Sequence, residues 1–196
     1  MGLAQPVKTY TVAEYYALER KSDFKSDFYD GEIFCMAGGT RKHSLIVSNL
    51  NGTMWQRLKG KPCAVYESNL RLAVKRVGLR TYPDLSVYCE QMQQDEDDIT
   101  GQTFTNPTVL FEVLSPSTER YDRGLKAQSY RRIDSLRAYV LLSQDEPRAE
   151  IYERQPDGSW RLDEADGLQS VLPLRAIEIE LPLAEVYDRI DFAAAD

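Results

Sequence analysis

A carboxylate lies in the middle of an apolar run that turn residues bound on both sides. The run covers residues 108–114, and Glu112 is its charged member. An Asn-Pro pair precedes the run and a Ser-Pro pair follows it, which is typical of a short strand buried on both faces. An ionised carboxylate in such a strand needs a cation, a proton or a metal ion. The strand therefore predicts a specific partner for Glu112 elsewhere in the chain.

The bulk properties of the chain limit the classes of protein it can form. With 196 residues it is long enough for one core and short for two, so we expect a single domain over residues 1–196. No apolar stretch approaches the ~20 residues of a membrane span, and no leader pattern is present. We therefore expect a cytoplasmic protein with no membrane partner. Cys35, Cys63 and Cys89 match no zinc spacing and predict free thiols in a reducing compartment.

The charge of the chain bears on its partners. A net charge of −7 argues against a module that coats nucleic acid through a general basic surface. It is compatible with an enzyme that holds a metal ion through carboxylates, because the metal supplies the positive charge at the site.

The order of strand and helix patterns predicts the fold class. A capping box at Thr11 and Glu14 predicts a helix start, and Asp30 with Gly31 predicts a hairpin turn. Apolar residues at helical spacing predict a helix over 43–58 that packs on a sheet. Strands are predicted at 65–74, 81–89, 108–114, 138–142, 149–154 and through Trp160, a helix from 119 or 122 to 134, and a short helix or turn at 182–190. The order predicts an α/β (α+β) domain around a sheet that is covered on both faces.

Two segments show no regular pattern. Residues 1–8 are expected to be a loose N-terminus. Residues 90–107, with an acidic run at 95–98, are expected to form a mobile, solvated loop.

A second carboxylate can meet Glu112 if two predicted strands are neighbours. Strand alternation places Asp84 on the face opposite Leu85, while Glu112 shares a face with Leu110 and Leu114. Two carboxylates brought together repel each other unless a cation or a proton lies between them, and a divalent metal ion is a common solution.

The helix after the Glu112 strand offers a cation. Asp122, Lys126 and Tyr130 are four residues apart and lie along one helical face. A lysine beside a metal-carboxylate site can position a water molecule or offset charge that develops on a phosphate. Each residue alone has a simpler interpretation: Asp84 as a strand-end cap or surface ion pair, Asp122 as a helix cap, and Lys126 as a solvated residue. For Glu112 the alternative is a structural ion pair with Arg80 or Arg123.

Together these pieces resemble the PD-(D/E)XK nuclease signature. From about residue 9 to 190 the chain resembles the Uma-type restriction endonuclease family more closely. The matching pieces are the tract 28–33, His43 at a helix start, the tracts 83–87 and 112–118, and Asp122 with Lys126 and Tyr130.

The resemblance implies a restriction-endonuclease-like fold, with a central mixed sheet flanked by helices, and metal-dependent hydrolysis of phosphodiester bonds in DNA. Asp84 and Glu112, joined by the backbone carbonyl of Val113, would ligate Mg²⁺ or Mn²⁺. Lys126 would act as the motif lysine. The superfamily has this lysine two residues after the glutamate, where this chain has Leu114, so the resemblance includes its migration to the helix.

The resemblance also implies less direct roles for four residues. These second-tier candidates are Asp27, where the family tends to have Glu, His43, Asp122 and Tyr130. Cutting both strands of DNA needs two sites, so a homodimer is expected.

Two other functions stay open at this level. One is a catalytically inactive module of nuclease fold that binds nucleic acid or another partner, which the acidic charge and the missing lysine at position 114 favour. The other is a metal-dependent phosphoesterase that acts on RNA or nucleotides, because one fold supports many activities.

Overall fold

The computed structural model describes residues 8–36 and 38–193, so most of the predicted loose N-terminus lies outside the described residues. Two β-sheets and a separate hairpin form most of the structure. The strands are β1 Ser26–Tyr29, β2 Glu32–Cys35, β3 Ala64–Glu67, β4 Arg71–Val74, β5 Leu79–Thr81, β6 Leu85–Tyr88, β7 Thr103–Phe104, β8 Val109–Leu114, β9 Ala138–Ser143, β10 Arg148–Arg154, β11 Trp160–Asp166, β12 Val171–Leu174 and β13 Ile179–Pro182.

The helical segments are mostly short. They are α1 Val12–Glu19, α2 Arg41–Leu58, α3 Glu119–Tyr121, a π turn Asp122–Lys126, α4 Ala127–Tyr130 and α5 Leu183–Val186, with 3₁₀ turns at Lys75–Val77 and Arg175–Ile177. The predicted α+β class is confirmed. None of the described helices is long and apolar enough to cross a membrane.

The six-stranded sheet carries the predicted carboxylates. Its order is β11-β10-β9-β8-β6-β3, with β8 and β9 parallel and the other pairs antiparallel. Strand β8 is internal, and all its residues are buried. Leu85 of β6 lies opposite Phe111 of β8. Asp84, one position before β6, therefore lies opposite Glu112, as expected if the two strands are neighbours.

Apolar side chains cover the six-stranded sheet on both faces. On one face, Ile46 and Leu50 of α2 pack with Phe111, the β12–β13 hairpin and α5. On the other face, Leu110 packs with Tyr130 and with residues of β4 and β5. Such burial on two faces explains why β8 reads as a nearly continuous apolar run.

The five-stranded sheet has the order β2-β1-β5-β4-β7. Its β1–β2 hairpin turns at Asp30 (φ 48°) and Gly31 (φ 85°), the left-handed conformations that a primed turn requires, so the predicted hairpin is confirmed. Helix α1 begins with the predicted capping box and packs Tyr15 and Tyr16 against Phe28 of β1.

Two of the predicted strands are each divided in the structure. Strands β3 and β6 belong to the six-stranded sheet, whereas β4 and β5 belong to the five-stranded sheet. The tracts predicted at 65–74 and 81–89 therefore each cross from one sheet to the other. Residues 68–70 and 82–84 form the crossings. A periodicity pattern does not report such a change of partner strand.

The expectation of a solvated segment over 90–107 is wrong for two residues of its acidic run, whereas Glu96 and Asp97 are exposed as expected. Asp95 and Asp98 are buried, and strand β7 of the same segment pairs with β4. Asp95 Oδ2 lies 3.1 Å from Arg80 Nη2, and Asp98 Oδ2 lies 3.3 Å from Arg71 Nη1. Two buried arginines of the five-stranded sheet thus hold the segment in place, since a buried carboxylate needs such a partner.

The prediction of free thiols is wrong for two of the three cysteines. Cys63 and Cys89 form a disulfide, while Cys35 is free and exposed. Antiparallel pairing places Ala64 opposite Tyr88, so the cysteines at the ends of β3 and β6 face each other. The thiol argument for a reducing compartment therefore does not hold.

Candidate functional site

A cleft of about 670 Å³ opens where β6 begins and β8 ends. Its walls come from the residues before β1, the start of α2, the turn after β8 and the π turn. The predicted site residues that line it are Asp84, Glu112, Val113, Asp122, Lys126 and His43. The structure thus brings together residues that lie up to 83 positions apart in the sequence.

Lys126 is the partner of Glu112. Lys126 Nζ donates to Glu112 Oε1 at 2.9 Å, and the Tyr130 hydroxyl donates to the same oxygen at 2.8 Å. All three residues are buried. The alternative partners are engaged elsewhere, Arg80 with Asp95 and Arg123 with Glu150.

The π turn presents Asp122 and Lys126 to each other. Asp122 Oδ1 lies 3.1 Å from Lys126 Nζ, and both residues are buried. Asp122 is therefore an ion-pair partner of the lysine, and its interpretation as a helix cap is wrong because it lies within the helical segments that run from Glu119 to Tyr130. The helical segment ends at Tyr130 rather than at the predicted residue 134. Single π turns in helices are frequent at functional sites.

Burial and neighbouring charges shift the pKa values of Glu112 and Lys126. Burial raises the pKa of the Glu112 carboxyl well above its ordinary value, with Lys126 opposing and Asp122 and Asp84 reinforcing the shift. Burial alone would lower the pKa of Lys126, but the Glu112 and Asp122 carboxylates outweigh it and raise that pKa. The ammonium stays charged, and Glu112 holds a proton more tightly than an exposed glutamate does.

The backbone of the neighbouring strand β8 and the side chain of His43 both hold Asp84 in place. The backbone N–H of Val113 donates to Asp84 Oδ2 at 2.7 Å, and His43 Nε2 lies 3.2 Å from the same oxygen. Burial alone would lower the pKa of His43, but the hydrogen bond and charge of Asp84 raise it overall. A histidine ring held in this way fixes the orientation of the carboxylate.

Asp27 lies beside the cleft rather than on its wall. It is buried on β1 opposite Phe34, and its Oδ1 has no hydrogen-bond partner within the described ranges. Burial raises its pKa, and the charge of Lys126 opposes the shift. When ionised, Asp27 is therefore a further negative charge that acts on Lys126.

The oxygen donors present fit a divalent metal ion of the magnesium type. Lys126, Tyr130, His43 and the Val113 N–H occupy one oxygen of each carboxylate, which leaves Asp84 Oδ1 and Glu112 Oε2 without a hydrogen bond from the residues that the structure describes. Among residues 8–36 and 38–193, no three His, Cys, Asp or Glu side chains form a metal cage. Magnesium commonly uses one or two protein carboxylates and keeps several water ligands, so a cage is not required.

The architecture is that of the restriction-endonuclease-like proteins. A solved structure described as "a putative nuclease belonging to DUF820", from Anabaena variabilis, superposes with a TM-score of 0.72 at 17% identity, and the match covers 93% of this chain and 98% of that one. The predicted fold is confirmed by this match.

Residues 12–184 match the family model described as "Uma2: Putative restriction endonuclease", and the chain belongs to this family. Two similar proteins come from Synechocystis sp. The uncharacterized protein slr1290 is 34% identical over 155 residues, which is 79% of this chain and 80% of that protein. The uncharacterized protein sll1609 is 30% identical over 167 residues, which is 85% of this chain and 93% of that protein.

Sequence reasoning missed one wall of the cleft. Phe24, Lys25 and Ser68 line it, although no catalytic motif includes them. A signal was present in the sequence, because Lys-Ser-Asp-Phe occurs twice in tandem, at 21–24 and 25–28. The contact between His43 and Asp84 had no such signal, since it depends on where α2 packs.

Proposed function

We propose that this protein is a divalent-metal-dependent endonuclease that hydrolyses phosphodiester bonds in DNA. The observation that carries the proposal is the convergence of Asp84, Glu112 and Lys126 in one cleft. A buried ion pair alone would satisfy Glu112, but it would not require Asp84 to face the same space. Membership in a family described as restriction endonucleases supports the same activity.

The carboxylates are the proposed metal ligands. Asp84 and Glu112 would hold Mg²⁺ or Mn²⁺ through the oxygens that their hydrogen bonds leave open, with the backbone carbonyl of Val113 as the third protein ligand. The bound ion would supply Lewis acidity at the phosphate and lower the pKa of a coordinated water molecule. Because burial raises the pKa of Glu112, binding of the ion there would compete with protonation of the carboxyl.

Other residues of the cleft prepare the carboxylates and the substrate. Tyr130 and Lys126 fix the rotamer of Glu112, and His43 with the Val113 N–H fixes Asp84. The Lys126 ammonium lies at the cleft wall and can offset negative charge that develops on the phosphate. Asp122 keeps that ammonium charged and in place.

Nicking of supercoiled plasmid with Mg²⁺ or Mn²⁺, paired with calorimetric metal titration, tests the proposal. Asp84→Ala and Glu112→Ala should lose both metal binding and nicking. Lys126→Met should keep metal binding and lose nicking by about 100-fold or more. The control is Asp157→Ala, in an exposed turn, which should behave as wild type.

The outcomes separate the proposal from its alternatives. Metal binding and nicking in the wild type, lost in folded Asp84→Ala, would support it. A wild type that neither binds metal nor nicks DNA would overturn it in favour of an inactive module. Faster cleavage of RNA or nucleotide substrates than of DNA would replace it with a phosphoesterase of a different substrate class.

A further inference from the structure

The lip of the cleft carries an exposed aromatic ring. Phe24 is 73% exposed, and it lines the same cleft as Asp84 and Glu112. A single exposed aromatic residue is common on protein surfaces and needs no explanation of its own. The position of Phe24 beside the proposed metal ligands, however, suggests a role in binding the substrate.

Hydrogen bonds fix the backbone that presents the ring. The Ser22 hydroxyl donates to the Phe24 carbonyl at 2.7 Å and accepts from the Phe24 N–H at 3.1 Å. The next carbonyl, that of Lys25, accepts from the N–H of Met36 at 3.0 Å. A ligand that binds the ring therefore meets an ordered backbone, which lowers the entropic cost of binding.

The side chain next to Phe24 is a half-buried cation. Lys25 Nζ donates to the carbonyl of Ser68 at 2.9 Å and to its hydroxyl at 3.3 Å. An ammonium has three N–H donors, so one is left for a ligand in the cleft. Burial lowers the pKa of Lys25, and the charges of Glu67 and Asp84 oppose the shift.

The sequence Lys-Ser-Asp-Phe occurs at 21–24 and again at 25–28, and comparison of the two copies shows that residue type does not explain the exposure of Phe24. In the second copy, 25–28, Phe28 is 3% exposed and lies on Tyr15 with ring centroids 5.1 Å apart. In the first copy, 21–24, the equivalent ring faces solvent at the cleft. Phe28 is buried because it lies in strand β1, whereas Phe24 precedes the strand and stays exposed at the lip of the cleft.

We propose that Phe24 stacks on an unpaired nucleobase and that Lys25 binds a phosphate of the same strand, next to the bond that is cleaved. The inference rests on the proposed function and deepens it. Both faces of a base in a duplex are covered by its neighbours, so a base must be unstacked to reach the ring. The substrate class is thus nucleic acid with a single-stranded segment at the cleavage site. Asp23 adds a negative charge to the same lip, so stacking rather than general positive charge carries the contact.

Binding of a fluorescein-labelled single-stranded DNA oligonucleotide, measured by anisotropy in Ca²⁺ buffer, tests the role of Phe24. Phe24→Ala should weaken binding by roughly 5- to 150-fold, the range found for removal of a base-stacking ring. Phe24→Trp should retain binding. Phe34→Ala is the matched control, because Phe34 is 46% exposed on β2 and does not line the cleft.

The role of Lys25 has a separate readout. Lys25→Met should weaken binding and reduce the salt dependence of the affinity by roughly one counterion. Lys21→Met, at the equivalent position of the first copy, should change neither quantity. A 2-aminopurine base in the oligonucleotide should lose fluorescence on binding to wild type and not on binding to Phe24→Ala.

The failure of this inference is distinguishable from failure of the proposed function. If the wild type nicks plasmid and Phe24→Ala binds the oligonucleotide as tightly as the wild type does, this inference alone is overturned. Binding that depends on Phe24, without nicking in Mg²⁺ or Mn²⁺, would overturn the endonuclease activity alone. No binding of wild type to any oligonucleotide, or a Phe24→Ala effect confined to self-association, would overturn the inference.

Discussion

At the residue scale, Glu112 shows how burial sets the chemistry of one carboxyl. It is 3% exposed, and it shares its surroundings with Lys126 and two further carboxylates, Asp122 and Asp84. Lys126 and the His43 ring beside Asp84 face three acidic groups, so a proton on Glu112 or a metal ion would balance the remaining charge. The same position can therefore be stable without metal and receptive to it.

The raised pKa of Glu112 makes a prediction about stability. The folded protein binds this proton more tightly than the unfolded chain does, so its contribution to the free energy of unfolding falls as pH rises above the ordinary carboxyl pKa. Glu112→Gln cannot ionise and avoids this loss. In metal-free buffer we expect the stability of Glu112→Gln relative to wild type to increase as the pH is raised from 5 to 8.

Urea denaturation at several pH values measures this difference. Glu180→Gln, at an exposed position of β13, is the control and should show no such trend. A stability difference between Glu112→Gln and wild type that stays constant from pH 5 to pH 8 would contradict the raised pKa.

At the element scale, the start of α2 holds His43 against the carboxylate of Asp84, which is a proposed metal ligand. Thr40 caps the helix by accepting from the His43 N–H at 3.1 Å. A β-carbon on Gly39 would come 2.8 Å from His43 Nδ1, whereas a β-carbon on Gly38 would meet no atom within 4 Å. The residue before the cap thus has to be glycine if the ring is to reach Asp84.

This geometry predicts different effects for two neighbouring glycines. Gly39→Ala should push the imidazole off Asp84 and lower the pKa of His43, because the carboxylate contact is what raises it. Gly38→Ala should leave that pKa unchanged. His43 is the only histidine in the chain, so the pH titration of one imidazole NMR signal measures it. Equal pKa values in the two variants would contradict the packing argument.

The edge of the six-stranded sheet supplies a second prediction at this scale. The Cys63–Cys89 disulfide closes a loop over a sequence separation of 26 and ties β3 to β6, the strand that follows Asp84. Reduction, or the double change Cys63→Ser with Cys89→Ser, should lower the free energy of unfolding by about 3 kcal/mol. Denaturation with and without reductant measures it, with Cys35→Ser as the control. Equal stability of the oxidised and reduced protein would contradict this predicted contribution of the bond.

At the scale of the whole molecule, local patterns predicted the parts and tertiary pairing decided how they combine. The strand around Glu112, the hairpin at Asp30 and the helix from His43 were predictable because their signals lie within a few residues of each other. The Cys63–Cys89 bond and the buried position of Asp95 were not, because each depends on a partner from a distant segment. The family resemblance placed Lys126 at the site, while its spacing alone allowed a solvated residue.

Cleavage of both strands of a DNA duplex would require two active sites, which makes a prediction about assembly. We propose a homodimer, because one cleft holds one set of Asp84, Glu112 and Lys126 and each strand of a duplex needs its own set. Sedimentation should give twice the mass of the 22.4 kDa chain under conditions in which plasmid becomes linear. A monomer under those conditions would contradict the dimer.

The most direct test of the metal site is the NMR signal of His43 in an untagged protein during titration with Mn²⁺. His43 Nε2 lies 3.2 Å from Asp84 Oδ2, so a paramagnetic ion on Asp84 must broaden the imidazole resonance. We predict broadening at substoichiometric Mn²⁺, recovery with excess Mg²⁺, and no broadening in Asp84→Asn. A signal that stays sharp at stoichiometric Mn²⁺, in a buffer that supports plasmid nicking, would place the metal elsewhere and contradict the assignment of Asp84 and Glu112.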